Sequence, residues 1–188
     1  LASLAPIAGM HVAPLGQMPV FFVSGEQMSK EKLVLIGNGM AGVRTLEELL
    51  ELAPERYEIS VFGAEPYGNY NRILLSPVLA GEKTLDEIML NGVQWYQDNG
   101  ITLHTGKKIV GIDRRRRSVA AEDGTVAPYD RLLLATGSNP FVIPVPGHAL
   151  PGVIGFRDIH DVETMLHAAH SARHAVVIGG GLLGLEAA

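Results

Sequence analysis

Cysteine is wholly absent from the 188 residues. That single absence excludes structural disulfides, thiolate ligation of zinc or of iron–sulfur clusters, a thiol nucleophile and a redox dithiol within this chain. Any redox chemistry has to be supplied by a cofactor. Long hydrophobic stretches are missing too: nothing approaches the roughly 18 uninterrupted apolar residues of a membrane helix. No membrane partner is therefore expected, and the cytoplasm is the expected compartment. A basic excess is also lacking, since the formal net charge is -5, so bulk attraction to nucleic acid is not expected either. No Lys or Arg precedes Lys30, which denies residues 1–29 the basic start of a secretory signal. They read as a disordered leader or a non-native extension, with residues 1–27 upstream of a start at Met28. The G-x-S-x-G pattern is missing as well, so Ser76 is no hydrolase nucleophile.

What is present has ordinary globular composition, 47% hydrophobic and 19% charged, arranged as alternating strands and helices. Residues 33–36 form a short apolar run bounded by glycine, as in a buried parallel strand. Apolar residues at helical spacing follow over 40–52, and 58–62 reads as a second strand, which makes a βαβ unit with a right-handed crossover. Thr84-Leu85-Asp86-Glu87 matches a capping box and predicts a helix from Leu85. Residues 93–99 read as a further helical turn or two ended by Gly100, with extended chain at 101–104. Residues 109–112 and 118–121, with Asp123-Gly124 as a turn, predict a β-meander. A buried strand is expected at 132–135, a helix after Asp161, and another buried strand at 175–178. Arg114 to Arg117 read as a solvated hairpin edge. His167, His170 and His174 recur near one helix, but they lack a carboxylate at ligand spacing and no metal is expected there.

The chemistry is concentrated in glycines. Gly37-Asn38-Gly39-Met40-Ala41-Gly42 is a G-x-G-x-x-G that follows a strand and opens a helix. The first glycine permits a tight turn, the second lets a diphosphate approach the backbone, and the third lets helix and strand pack closely. Amides at the helix N-terminus are left to meet the phosphates. Glu65, just past the second strand, is the candidate acceptor for the adenosine ribose, although the usual position lies nearer Gly63. The pattern recurs at Gly179-Gly180-Gly181-Leu182-Leu183-Gly184 before a helix beginning at Leu185. Two such fingerprints imply two dinucleotide sites. A bound flavin and a diffusible nicotinamide make chemical sense of the pair, because hydride passes between them.

Leu134-Ala135-Thr136-Gly137-Ser138, preceded by Tyr129-Asp130 and followed by Pro144-Val145-Pro146-Gly147, resembles the second FAD-contacting segment and interdomain crossing of two-dinucleotide flavoprotein reductases. More narrowly, the first fingerprint resembles the N-terminal region of the large subunit of assimilatory NAD(P)H nitrite reductases. Tyr70-Asn71-Arg72-Ile73-Leu74-Leu75-Ser76, Asn99-Gly100-Ile101 and Phe156-Arg157-Asp158-Ile159 share that likeness. The similarity runs from about Met28 to Ala188. It implies an α/β fold in which a Rossmann-like FAD-binding domain with a β-meander, residues 30–147, precedes the start of a second Rossmann-like NAD(P)-binding domain at 148–188, so that the chain is expected to be a fragment.

The resemblance further implies Arg72 and Ser76 as FAD contacts, Ile109 as an adenine contact through its backbone, and Ala135, Thr136 and Gly137 as flavin contacts. Gly179, Gly181, Leu182, Leu183 and Gly184 would meet NAD(P)H. Glu186 either sits close to the nicotinamide and flavin or simply favours a helix dipole. Related ferredoxin and rubredoxin reductases often carry Lys after the serine, where Pro77 stands here. In the nitrite reductases, electrons pass on through iron–sulfur clusters to sirohaem, where nitrite becomes ammonia. Iron–sulfur centres need cysteine, so the expected partners, besides NAD(P)H, are downstream iron–sulfur and sirohaem domains or a small subunit. No side chain is required as a nucleophile. The alternatives are a ferredoxin or rubredoxin reductase serving a separate carrier, and a non-catalytic dinucleotide sensor.

Overall fold

The computed structural model describes residues 29–188. The expected leader therefore lies outside the described residues, except for Ser29. Strand β1 (Glu31–Ile36) leads through helix α1 (Met40–Leu52) to β2 (Tyr57–Phe62), which pairs parallel to β1 with Leu33 opposite Ile59 and Leu35 opposite Val61. The chain then makes a short strand β3 (Asn69–Tyr70), a single 3-10 turn (Arg72–Leu74) and helix α2 (Leu75–Leu79). Pro77 is tolerated in α2 because it stands in the first turn, where its missing N–H has no helical partner to lose.

The capping box expected at Thr84 is present, with Thr84 Oγ1 accepting from the Glu87 amide and the Glu87 carboxylate accepting from the Thr84 amide. The helix it opens, α3 (Leu85–Ile88), lasts one turn. It gives way to β4 (Met89–Asn91), which pairs antiparallel with β3 and buries Ile88 and Asn91. A good cap starts a helix but does not prolong one against tertiary pairing. Helix α4 (Val93–Asp98) and strand β5 (Thr102–His104) follow, and β5 pairs parallel to β2.

The meander is β6 (Ile109–Asp113), β7 (Ser118–Ala121) and β8 (Val126–Pro128), all antiparallel. The four arginines make its first turn, with Asp113 Oδ1 accepting from the Arg115 and Arg116 amides at 2.9 Å each. Asp123-Gly124 makes the second. Strand β9 (Arg131–Leu134) then returns to pair parallel with β1, completing a sheet in the order β5-β2-β1-β9.

Alternation along β1 explains how this sheet is covered. Leu33 and Leu35 point to one face and pack with Val43 and Leu46 of α1, Ile59, Val61, Tyr96 and Ile101. Val34 and Ile36 point to the other face and meet Phe62 and Val119 of the meander. Each such side chain, once buried, contributes about 1.5–3 kcal/mol. A third cluster joins Ile159 and Val162 of helix α5 (Ile159–Ala169) to Tyr70, Leu75, Val78 and Ile88. Helix α6 (Leu182–Ala187) closes the described chain and starts a turn earlier than expected.

Two strand expectations need correction. Residues 175–178 are not a strand and are exposed, with Val176 at 85% and Ile178 at 70%. No described strand lies beside them to pair with, and an apolar run without a ladder does not become a strand. Strand β9 exists but is only half-buried, Leu134 being exposed, because it forms the edge of the sheet with nothing beyond it among the described residues. No described helix is long and apolar enough to cross a membrane.

Candidate functional site

The first glycine fingerprint sits where β1 ends, between β2 and β9. Gly37 donates its amide to the Phe62 carbonyl at 2.8 Å and holds φ +109°. A Cβ there would run into the Ala135 carbonyl, so the position accepts only glycine. Gly42 lies against the Gly37 carbonyl, 2.9 Å from where its own Cβ would be. Gly39 differs: it caps α1 in an extended conformation, and a Cβ on it would meet nothing within 4 Å. No side chain caps α1 and no acidic residue stands in its first turn. The amides of the first turn of α1 are thus left without a capping side chain beneath the open space over Gly39, which is the arrangement a diphosphate fits.

The loops that surround this opening are tied to one another. Gly63 donates to the His104 carbonyl, Lys107 to the Gly63 carbonyl and Gly106 to the Glu65 carbonyl, which locks the ends of β2 and β5 together. The His104 ring stacks on Phe62 with centroids 4.3 Å apart. Burial, with Lys107 adding to it, holds the His104 pKa below its ordinary value.

Glu65 does not stand free. Its carboxylate pairs with the Arg72 guanidinium and accepts from the Tyr70 hydroxyl at 2.7 Å, while Arg72 also lies over the Tyr70 ring and donates to the Arg157 carbonyl at 3.0 Å. Burial, followed by Glu65, pushes the Tyr70 hydroxyl far above its usual pKa. The structure thus brings Glu65 and Arg72 into contact with each other. Asn38 turns its amide inward, onto the Tyr96 hydroxyl and the Tyr67 carbonyl, so this residue offers the opening only its backbone. Ala135 donates to the Ile36 carbonyl, and Gly137 holds φ +71° beside the Arg157 guanidinium. Ile109 opens β6 next to an irregularity in its pairing with β7.

At the second fingerprint the turn is repeated. Gly179 has φ +138° against +109° at Gly37, and the helix-capping Gly181 has φ, ψ of -82°, 175° against -87°, 174° at Gly39. Gly184 abuts the Gly179 carbonyl as Gly42 abuts Gly37, and Gly181, like Gly39, faces open space. Leu182 and Leu183 open α6 and are exposed. Glu186 accepts from the Ser76 hydroxyl at 2.7 Å, so α6 meets α2.

The contacts of two residues in this region had no signal in the sequence. Tyr96 reaches Asn38 from α4, and Arg157 links Arg72 to the Ser138 carbonyl, to which its Nε donates at 3.0 Å. One signal was legible: Asp158 and Asp161 form a reciprocal capping box at the start of α5, and the Asp-x-x-Asp spacing before an apolar run announces it. The rings of His167 and His170 lie 6.5 Å apart, and no group of three metal-binding side chains occurs among the described residues.

Nitrite reductase [NAD(P)H] of Bacillus subtilis (strain 168) is 52% identical over 161 residues, which cover 86% of this chain and 20% of that protein. The assimilatory nitrate reductase electron transfer subunit of the same organism is 50% identical over 161 residues, covering 86% and 21%. The chain thus spans about a fifth of the length of these curated relatives. The crystal structure of NADH:rubredoxin oxidoreductase from Clostridium acetobutylicum superposes with a TM-score of 0.75 at 28% identity, covering 84% of this chain and 40% of that one. The family model described as pyridine nucleotide-disulphide oxidoreductase matches residues 31–188, which contain both glycine turns, and the chain belongs to the pyridine nucleotide-disulphide oxidoreductase family.

Proposed function

We propose that the first fingerprint holds FAD, the second NAD(P)H, and that the chain is the electron-entry part of an NAD(P)H-dependent nitrite reductase. The observation that carries this reading is the repeated glycine turn, with matching dihedrals and open space over Gly39 and Gly181. The bound flavin would supply a hydride acceptor for the nicotinamide. This chain's residues bind and orient. The α1 amides meet the diphosphate, Gly37 and Gly42 let the backbone come close, and the Glu65 carboxylate retains lone pairs for a ribose hydroxyl beside its contacts to Arg72 and Tyr70. Arg72 fixes that carboxylate, and Ser76 and Glu186 join the two nucleotide units at 2.7 Å. Backbone at Ile109, Ala135, Thr136 and Gly137 lines the remaining approach. We place the FAD unit at 30–147 and the start of the nicotinamide unit at 148–188.

The likeness to Bacillus nitrite reductase and to the nitrate-assimilation electron transfer subunit supports nitrite as the final acceptor, with cytoplasmic iron–sulfur and sirohaem domains or a small subunit downstream. The absence of cysteine means those clusters would be held by other residues than these. The test is the full-length protein. Flavin absorbance that bleaches on NADH or NADPH, together with nitrite-dependent oxidation of the nicotinamide, is the expected result. Bleaching without nitrite turnover, but with turnover of an added ferredoxin or rubredoxin, would replace nitrite reductase by a carrier reductase. A protein without flavin bands would overturn the reading altogether.

A further inference from the structure

Asn38, between the first two glycines of the fingerprint, is the one non-glycine residue of that tight turn, and its side chain is anchored in the core. Its Oδ1 accepts from the Tyr96 hydroxyl at 2.6 Å and its Nδ2 donates to the Tyr67 carbonyl at 3.3 Å. Its Cβ is walled by Gly63, where an added Cβ would stand 3.0 Å away. Tyr96 is fully buried with Leu35, Val43 and Leu46, and its ring meets Trp95 edge-on. Burial pushes its hydroxyl up to about 12, so it remains a protonated donor at any working pH. A phenylalanine would fill the same space. The hydroxyl is buried at a desolvation cost that its bond to Asn38 offsets.

At the second fingerprint the equivalent position is Gly180, which has no side chain, and a Cβ there would meet nothing within 4 Å. One turn is latched and the other is not. The flanking glycines give each turn wide conformational freedom, and a ligand that must order a free turn binds more weakly than one that finds it ordered.

We propose that Tyr96 is a positioning residue for the flavin diphosphate, acting through Asn38 to hold the first turn in its phosphate-binding shape, and that this latch separates a retained dinucleotide from an exchanging one. The proposal rests on the reading that the first fingerprint holds FAD. Tyr96 touches no cofactor in this scheme. Asn38 suits the role because an amide accepts from Tyr96 and donates to Tyr67 at once, which neither aspartate nor leucine can do.

The test uses the full-length protein stripped of flavin and titrated with FAD. Tyr96→Phe is expected to weaken FAD about tenfold, the effect of one lost buried hydrogen bond, while KM for the nicotinamide stays within about twofold, since the second turn has no such latch. In an Asn38→Ala background the same substitution should add less than about twofold, because its effect passes through Asn38. Equal weakening in both backgrounds, or a fall in melting temperature with FAD affinity unchanged, reduces Tyr96 to a core residue and overturns the latch. Gly39→Val separates the two readings. If Gly39→Val weakens FAD about a hundredfold or more and Tyr96→Phe leaves it intact, the latch alone fails; if Gly39→Val leaves FAD affinity unchanged, the site itself is misplaced and the latch falls with it.

Discussion

At the first fingerprint the glycine turn is held by β1, β2 and β9, with Gly37 bonded to Phe62 and backed by Ala135. At the second, nearly the same dihedrals stand at the end of a segment that makes no backbone hydrogen bond from Arg173 to Gly180 among the described residues. The contrast separates two things that a motif conflates. The shape of the turn follows from where glycine is placed, because only glycine adopts the required positive φ. Its rigidity follows from what surrounds it, which lies far away in the sequence.

A matched pair of substitutions at the first glycines should show the largest difference between the two turns. Gly37→Ala combines a disfavoured φ with a clash into the Ala135 carbonyl and should cost about 3 kcal/mol or more, whereas Gly179→Ala meets only the backbone strain, about 1–3 kcal/mol. Urea unfolding of the two variants measures this, and equal losses would erase the distinction. At the second glycines the effect moves from stability to binding. Gly39→Val should leave the unfolding midpoint close to that of the parent, since its side chain enters open space, yet weaken FAD about a hundredfold, roughly 2.8 kcal/mol. Gly181→Val should raise KM for the nicotinamide and leave flavin content alone. Glu65→Ala removes an acceptor already shared by Arg72 and Tyr70 and should weaken FAD by about 1–2 kcal/mol, read by fluorescence titration. Asp158→Ala, which uncaps α5, should cost about 1 kcal/mol of stability with no change in flavin affinity.

The smallest effect concerns pH. Burial lowers the His104 pKa in the folded state, so the unfolded chain takes up its proton first. The stability this neutral ring contributes is complete above the ordinary histidine pKa and is lost as pH falls through it toward the folded value. His104→Gln should flatten the slope of stability against pH in that window, and an unaltered slope would remove His104 from the account.

Much of this arrangement was legible in the residues themselves. The short apolar run of β1, the helical spacing of α1 and the glycines between them are local signals, and the βαβ unit stands as they imply. The capping box at Thr84 was readable as well, but the length of α3 was not, since the antiparallel pairing of Asn69 with Asn91 ends it. The burial of β9 and the strand at 175–178 were misread for one reason: an apolar run announces a wish to be covered, not the presence of a cover. Within the site, the glycines were visible because each has a steric role of its own. The contact between Glu65 and Arg72 and the bond between Tyr96 and Asn38 were not, because they join residues through the fold rather than through any periodicity.

Helix α5 is anchored on the side of the first glycine turn. Ile159 and Val162 are fully buried against Tyr70, Leu75, Val78 and Ile88, while Arg157 ties the start of the helix to Ser138 and Arg72. The helix is thereby fixed to the elements beside the first glycine turn, although it follows Pro144 to Gly147 in the chain. The stretch from Arg173 to Gly180, which makes no backbone hydrogen bond among the described residues, is therefore the segment in which we expect the second glycine turn to move relative to the first.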